Sequence, residues 1–127
     1  MRSDSELEGI LNGKIDLFFE HKGQYYILDW KSNYLGGSLN DYGAENLFMS
    51  MEENNYFLQY HLYVLSAYRY LKHRLNDFDY ERDFGGVAYV YMRGVRANSD
   101  NGIYFHKPGF QLILEMEELM LKKSNKE

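Results

Sequence analysis

Gly13-Lys14-Ile15-Asp16-Leu17 and Leu28-Asp29-Trp30-Lys31 are the two stretches of this chain that decide its fold. Both lie in runs rich in Ile, Leu, Phe and Tyr, which predict β-strands over Lys14–Glu20 and Gln24–Lys31. Between them, His21-Lys22-Gly23-Gln24 predicts a two-residue hairpin turn, because glycine tolerates the positive φ that such turns need. The two stretches therefore predict an antiparallel pair of strands.

The predicted turn fixes which residues face each other across that pair. With Lys22-Gly23 as the loop, the ladder places Asp29 directly opposite Asp16. Facing residues in an antiparallel pair have Cβ atoms about 4.5–5.5 Å apart, and like charges at that separation repel each other. A bound cation relieves the repulsion, and carboxylate oxygens suit Mg²⁺, Mn²⁺ or Ca²⁺. Lys31, two residues beyond Asp29, lies on the same strand face, so we expect two acids and a lysine in one patch.

The composition narrows the class of protein. With 127 residues, of which 45% are hydrophobic and 26% charged, the chain predicts a single soluble globular domain. The absence of cysteine excludes a disulfide framework and any thiolate-ligated metal. A net charge of −5 argues against a protein that coats nucleic acid, but not against a nuclease with an acidic site. The sequence has no long apolar run and no signal-peptide core, so we expect a cytoplasmic protein with no membrane partner.

The remaining segments predict an α+β fold. Leu7–Leu11, followed by Asn12-Gly13, predicts a further strand and hairpin, so that the chain starts with a three-stranded antiparallel meander. Beyond the loop Ser32–Tyr42, the predicted helices are Ala44–Glu53, Tyr56–Leu75 and Gly109–Lys123, and the predicted strands are Gly86–Gly94 and Ile103–His106. The strand Gln24–Lys31 is apolar on both faces, which is typical of a sheet covered on both sides. We therefore expect a central mixed sheet flanked by helices.

The chain resembles the PD-(D/E)XK nuclease superfamily, in which an acid on one strand precedes an acid-x-lysine on the next. Here these residues are Asp16 and Asp29-Trp30-Lys31. A more specific likeness, from about Gly9 to the final helix, is to the nuclease domain of RecB, the β subunit of exodeoxyribonuclease V. It rests on Gly13-Lys14-Ile15-Asp16-Leu17, Tyr25-Tyr26-Ile27-Leu28-Asp29-Trp30-Lys31-Ser32-Asn33, Leu58-Gln59-Tyr60-His61-Leu62-Tyr63, Asp79-Tyr80-Glu81, Phe84-Gly85-Gly86-Val87 and Arg93-Gly94-Val95.

This resemblance implies a Mg²⁺-dependent deoxyribonuclease domain with a restriction-endonuclease-like fold. It also implies that residues 1–127 are a C-terminal part of a larger helicase–nuclease subunit, which acts on DNA in double-strand break repair together with RecC- and RecD-like subunits. Contact with RecA is a further implication, and in the alternative interpretation the chain is chiefly a RecA-docking module. The family has an additional histidine ligand upstream of the first strand, and nothing before Gly9 matches it, so we expect weak or undetectable nuclease activity from this chain alone.

The resemblance and the strand spacing together give roles to the acids and the lysine. Asp16 and Asp29 are expected to bind the metal, with the backbone carbonyl of Trp30 and waters completing its shell; the alternative is two solvated carboxylates at a sheet edge. Lys31 is expected to orient or activate the attacking water and to stabilise charge on the phosphate. The alternative for Lys31 is a strand-end lysine that neutralises Asp29.

The helix Tyr56–Leu75 is expected to supply supporting residues. Gln59 and Tyr63 lie one turn apart, and Ser66 and Tyr70 continue the same face. We expect Gln59 and Tyr63 to contact the nucleic-acid backbone or to hold the lysine.

Several other groups have simpler interpretations. No two histidines have the spacing of metal ligands, so we expect surface or capping roles for all four: His21, His61, His73 and His106. The basic residues Arg69, Lys72, Arg74, Arg93 and Arg96 predict either a phosphate-binding rim or a solvated helix end. Trp30 and the tyrosines are expected in the core, and Phe84-Gly85-Gly86 is expected to turn into its strand.

Overall fold

The computed structural model of the chain describes residues 13–125. Its strands are β1 (Leu17–His21), β2 (Gln24–Lys31), β3 (Phe84–Tyr91) and β4 (Ile103–His106). Its helices are α1 (Ala44–Glu53), α2 (Tyr56–Arg74), α3 (Tyr80–Asp83) and α4 (Phe110–Asn125), and a 3₁₀ turn spans Leu39–Tyr42. The predicted strand Leu7–Leu11 and Asn12 of its turn lie outside the described residues. None of the described helices is long and apolar enough to cross a membrane.

The strands form one mixed sheet in the order β1-β2-β3-β4, which confirms the α+β class. β1 and β2 pair antiparallel through the predicted turn, in which Lys22 and Gly23 have φ angles of 51° and 80°. β2 pairs parallel with β3, and β3 pairs antiparallel with β4. The parallel pair is possible because α1, α2 and α3 fill the long connection between β2 and β3.

Several element boundaries differ from the prediction, among them the end of β3 at Tyr91 and not at Gly94, and α3 was not predicted. β1 begins at Leu17 and not at Lys14, so Asp16 lies just ahead of the strand. The glycines of Phe84-Gly85-Gly86 lie inside β3, and the prediction that they form a turn is wrong. Tyr25 pairs with Phe84 and Tyr26 pairs with Gly86, so Gly85 is the extra residue of a β-bulge. A side chain at Gly85 would overlap the ring of Tyr26, which explains the glycine there.

The core lies between α2 and one face of the sheet. Ile27 of β2 and Tyr89 of β3 are fully buried, and so is Val64 of α2. Much of this core is tyrosine, and its hydroxyl groups have partners, as buried phenols require. Tyr91 donates a hydrogen bond to Ser50 Oγ at 3.0 Å, for example. The helices thus hold one side of β2 and β3 in a tightly packed environment.

The opposite face of the sheet is exposed within the described part of the chain. Its side chains Leu17, Trp30, Ile103 and Phe105 are 41–54% exposed. The expectation of a core Trp30 is therefore wrong, and coverage on both sides is not seen among residues 13–125. Trp30 alternates with the buried Asp29 along β2, so burying Asp29 under α2 directs Trp30 to the outer face.

We predict that Gly94→Ala lowers the free energy of unfolding by about 1–3 kcal/mol, because the added Cβ would overlap the buried ring of Tyr42. That ring has little freedom to move, since its hydroxyl accepts a hydrogen bond from Leu35 N. Urea unfolding measures the change. Gly37→Ala is the matched control, because its nearest neighbour would be the Tyr34 hydroxyl at 3.5 Å, and it should change stability by less than about 0.5 kcal/mol. Equal effects of the two substitutions would contradict this packing argument.

Candidate active site

Asp29 and Lys31 form the centre of the candidate site. Both project from the helix-covered face of β2, and Asp29 is only 3% exposed. Lys31 Nζ lies 2.8 Å from Asp29 Oδ2, so the buried carboxylate has a direct counter-charge. The contact matches the predicted alternative in which Lys31 neutralises Asp29, and it also places the lysine at the acid pair.

Asp16 lies beside this pair. The β1–β2 ladder ends at Leu17 and Leu28, so the next position along the register places Asp16 opposite Asp29. Asp16 is exposed, and its Oδ2 accepts a hydrogen bond from the backbone N–H of Trp30 at 2.9 Å. The structure therefore brings Asp16, Asp29 and Lys31 together at the end of β2.

The proximity of the two acids has an electrostatic consequence. Burial raises the pKa of Asp29 above its ordinary value, and Lys31 opposes that effect through its charge and its hydrogen bond. The charge of Asp16 and its hydrogen bond with the Asp29 carboxyl raise the pKa of Asp29 further. A buried carboxylate whose ionisation is disfavoured by a neighbouring carboxylate is a place where a cation is stabilising.

Gln59 of α2 holds the lysine. Its Oε1 accepts hydrogen bonds from Lys31 Nζ at 3.3 Å and from the hydroxyl of Tyr89 at 2.5 Å. Lys31 Nζ also lies 4.1 Å from the ring centroid of Tyr56 and 5.0 Å from that of Tyr89. An ammonium group over aromatic faces is attracted by their quadrupoles, so amide and rings together fix the lysine.

Tyr63 lies near the acids but is not open to solvent. It is 6% exposed, and its hydroxyl donates to the carbonyl of Lys14 at 3.4 Å. Burial, followed by the charges of Asp29 and Asp16, raises the pKa of Tyr63 to about 12. Tyr63 therefore stays a neutral hydrogen-bond donor that connects α2 to the segment ahead of β1.

The predicted polar face of α2 is mostly covered. Ser66 is 1% exposed and bonds back to the Leu62 carbonyl, while Tyr70 contacts the ring of Phe18 on β1. Of the four residues assigned to that face, Gln59 contacts Lys31 directly. Tyr70 and Tyr63 of this face thus contact β1 and the segment ahead of it, which helical periodicity alone does not indicate.

Two residues that contact the lysine were not predicted from the sequence: the rings of Tyr56 and Tyr89 lie against Lys31 Nζ. Tyr89 pairs with Asp29 in the parallel β2–β3 register. Finding it required the knowledge that β3 lies parallel beside β2, since no local pattern distinguishes Tyr89 from other tyrosines of β3. Tyr56 carries a weak signal, because it is the first residue of α2 and one turn ahead of Gln59.

The basic residues do not form one rim. Arg69 and Lys72 both contact Glu117 Oε2 of α4, at 2.5 Å and 3.0 Å, so they join two helices. Arg93, in contrast, follows β3 at the same sheet edge as Lys31, and its Nε donates to the carbonyl of Ser32 at 2.7 Å. The predicted phosphate-binding rim is therefore wrong for Arg69 and Lys72.

The histidines separate into two groups. His21 and His73 are exposed, as predicted. His61 and His106 are partly buried in an aromatic cluster, so their expected surface role is wrong. His106 Nδ1 is hydrogen-bonded to the Tyr60 hydroxyl at 2.8 Å, and the centroids of the two imidazole rings lie 6.0 Å apart. The cluster forms where β4 packs on α2, and a single sequence does not reveal that contact.

The donor chemistry of the acid pair fits a hard divalent cation. Asp16 and Asp29 supply carboxylate oxygens, which Mg²⁺, Mn²⁺ and Ca²⁺ prefer. Within residues 13–125, no group of three or more His, Cys, Asp or Glu side chains is placed to hold a metal. The described residues thus offer two acidic ligands at this position.

Comparison with known proteins finds RecB subunits. The chain is 45% identical over 115 residues to RecBCD enzyme subunit RecB of Escherichia coli (strain K12), a match that covers 90% of this chain and 10% of that protein. The subunit of Haemophilus influenzae is 41% identical over 112 residues, and that of Mycobacterium tuberculosis (strain H37Rv) is 35% identical over 125. The chain spans about a tenth of the length of these relatives. No protein-family model matches the chain.

We predict that His106 makes stability fall at acidic pH. Burial, and then the nearby His61, lower the pKa of His106 in the folded state. The unfolded chain, with a histidine pKa of about 6.5, therefore binds more protons, and stability is lost as pH falls from about 6.5 towards the lowered pKa. Urea unfolding between about pH 7 and pH 5 should show a smaller loss for His106→Gln than for the wild type. His73→Gln, at an exposed site, should behave like the wild type, and identical curves for all three proteins would contradict the prediction.

Proposed function

We propose that this chain, which is homologous to a segment of the RecB subunit, is a metal-dependent deoxyribonuclease domain. The observation that supports this best is the placement of Asp16, Asp29 and Lys31 together at the end of β2. Their order along two paired strands is the acid and acid-x-lysine arrangement of PD-(D/E)XK nucleases. In this proposal the chain acts within a RecBCD-like helicase–nuclease in double-strand break repair and recombination, with DNA as substrate and RecC- and RecD-like subunits as partners.

Asp16 and Asp29 would hold the cation, with Mg²⁺ as the proposed cofactor and Mn²⁺ or Ca²⁺ as substitutes in binding. The backbone carbonyl of Trp30 is the proposed third protein ligand. When bound, such an ion polarises a scissile phosphate and lowers the pKa of an attacking water. The negative charges of Asp16 and Asp29 repel each other, and a cation bound between them would relieve that repulsion.

Lys31 is the residue that would face the phosphate. In the described structure its charge is directed to Asp29 at 2.8 Å. A cation on the carboxylates would satisfy that acid and leave the ammonium free to stabilise negative charge that develops on a phosphate oxygen. Gln59 would keep Lys31 in position during this change, because its amide oxygen remains within hydrogen-bond reach.

A docking role, with RecA as the proposed partner, is the second candidate function. The exposed outer face of the sheet, with Leu17, Trp30, Ile103 and Phe105, favours it, because contiguous apolar surface often marks a protein interface. Docking of this kind would be independent of the acids and the lysine. A variant with Asp16, Asp29 and Lys31 all replaced by alanine should then bind RecA as the wild type does, and its failure to bind would contradict this separation of roles.

We predict that Mg²⁺ or Ca²⁺ raises the melting temperature of the chain, since a ligand that binds only the folded state stabilises it by mass action. Asp29→Asn should abolish this response, measured by differential scanning calorimetry against the metal-free form of the same variant. Asp77→Asn is the matched control, because the Asp77 side chain is 96% exposed, and it should keep the full response. If neither Mg²⁺ nor Ca²⁺ changes the melting temperature of the wild-type chain, the proposed metal site is contradicted.

We also predict that Gln59→Ala lowers the rate of DNA cleavage about tenfold, because Lys31 loses a positioning hydrogen bond that is worth about 1.5 kcal/mol. The melting response to Ca²⁺ should persist, since both acids remain. Gln111→Ala, on the exposed side of α4, should leave cleavage unchanged. Cleavage by Gln59→Ala at the wild-type rate would show that the amide does not position the lysine.

A further inference from the structure

Tyr34 is an exposed aromatic residue next to the candidate site. It lies three residues beyond Lys31, so its Cα lies within about 11 Å of the Cα of that lysine. Its side chain is 67% exposed, although most tyrosines of this chain are buried or half-buried. The segment that leaves β2 therefore presents a ring to solvent at the edge of the sheet where the acids and the lysine meet.

Arg93 adds a positive charge to this ring. Its guanidinium lies 5.8 Å from the ring centroid of Tyr34, within the range of a cation–π contact. The hydrogen bond from Arg93 Nε to the Ser32 carbonyl anchors the group to the strand end. In the described part of the chain its two Nη groups, with four N–H donors, have no further partner.

The backbone holds these two side chains close to Lys31. Met92 N donates to the Lys31 carbonyl at 2.9 Å, which joins the end of β3 to the end of β2. Ser32, the acceptor for Arg93, directly follows Lys31. The segments that carry Arg93 and Tyr34 are thus joined to the end of β2 that carries Lys31.

We infer that Tyr34 and Arg93 form a stacking platform for an unpaired base of the DNA strand bound at the active site. This inference rests on the proposed function. A base stacks on the ring face of Tyr34, and the open guanidinium N–H groups of Arg93 donate two hydrogen bonds to the oxygens of the adjoining phosphate. Bases of a duplex are already stacked on their neighbours and have no free face for Tyr34.

Binding of labelled oligonucleotides tests the platform, with fluorescence anisotropy in EDTA so that no metal-dependent cleavage occurs. We expect Tyr34→Ala to weaken binding of an ordinary single strand about tenfold, since base stacking on an aromatic residue contributes about that factor or more. Binding of a strand of the same length with abasic sites should not change. Tyr34→Trp should bind the ordinary strand as well as the wild type or better.

Arg93→Ala should weaken binding of both the ordinary and the abasic strand. It should also reduce the slope of log affinity against log salt concentration by about the amount expected for one phosphate contact. Phe105→Ala is the matched control, because Phe105 is a 54% exposed ring on the outer face of the sheet, and it should bind as the wild type does. Equal affinity of the wild type for ordinary and abasic strands would overturn the inference, as would an equal loss on both strands in Tyr34→Ala. A chain whose melting temperature responds to Mg²⁺ or Ca²⁺ but which fails these binding tests contradicts only the platform. A chain that neither binds DNA nor responds to those metals contradicts the proposed function as well.

Discussion

The rest of the site depends on a carboxylate that is buried and compensated by a lysine two residues away. Removing Asp29 from water is costly unless a cation and hydrogen bonds replace the lost hydration. The ammonium of Lys31 supplies the charge at 2.8 Å, and Gln59 and two aromatic rings hold that ammonium in turn. Asp29 therefore depends on the position of Lys31, and Lys31 depends in turn on Gln59 and the two rings.

The many tyrosines of this chain are suited to that arrangement. A core of Leu and Ile around a buried ion pair would leave its hydrogen-bonding groups without partners. Tyr89 provides apolar area and, at its hydroxyl, a donor to Gln59. Tyr63 in the same way packs in the core while its hydroxyl reaches the Lys14 carbonyl. The two tyrosines therefore bury the site and supply hydrogen bonds within it.

Local patterns in the sequence were enough to predict the hairpin, its register and most helix boundaries. The turn Lys22-Gly23 and the strand alternation led directly to Asp16 beside Asp29, because both follow from short-range geometry. Contacts between distant segments were not predictable in this way. The pairing of Tyr89 with Asp29 and the pairing of Arg69 with Glu117 join residues that are far apart along the chain, and one sequence contains no signal that links them.

The parallel register of β2 and β3 has a consequence for how the chain folds. Asp29 and its partner Tyr89 are 60 positions apart, with α1, α2 and α3 between them, so the pairing of β2 with β3 closes a long loop. Long-range pairing of this kind raises contact order and slows folding, because loop closure is entropically unfavourable before native contacts offset it. During synthesis the β1–β2 hairpin emerges well before β3. The acid pair therefore lacks its neighbour Tyr89 until this long-range pairing has formed.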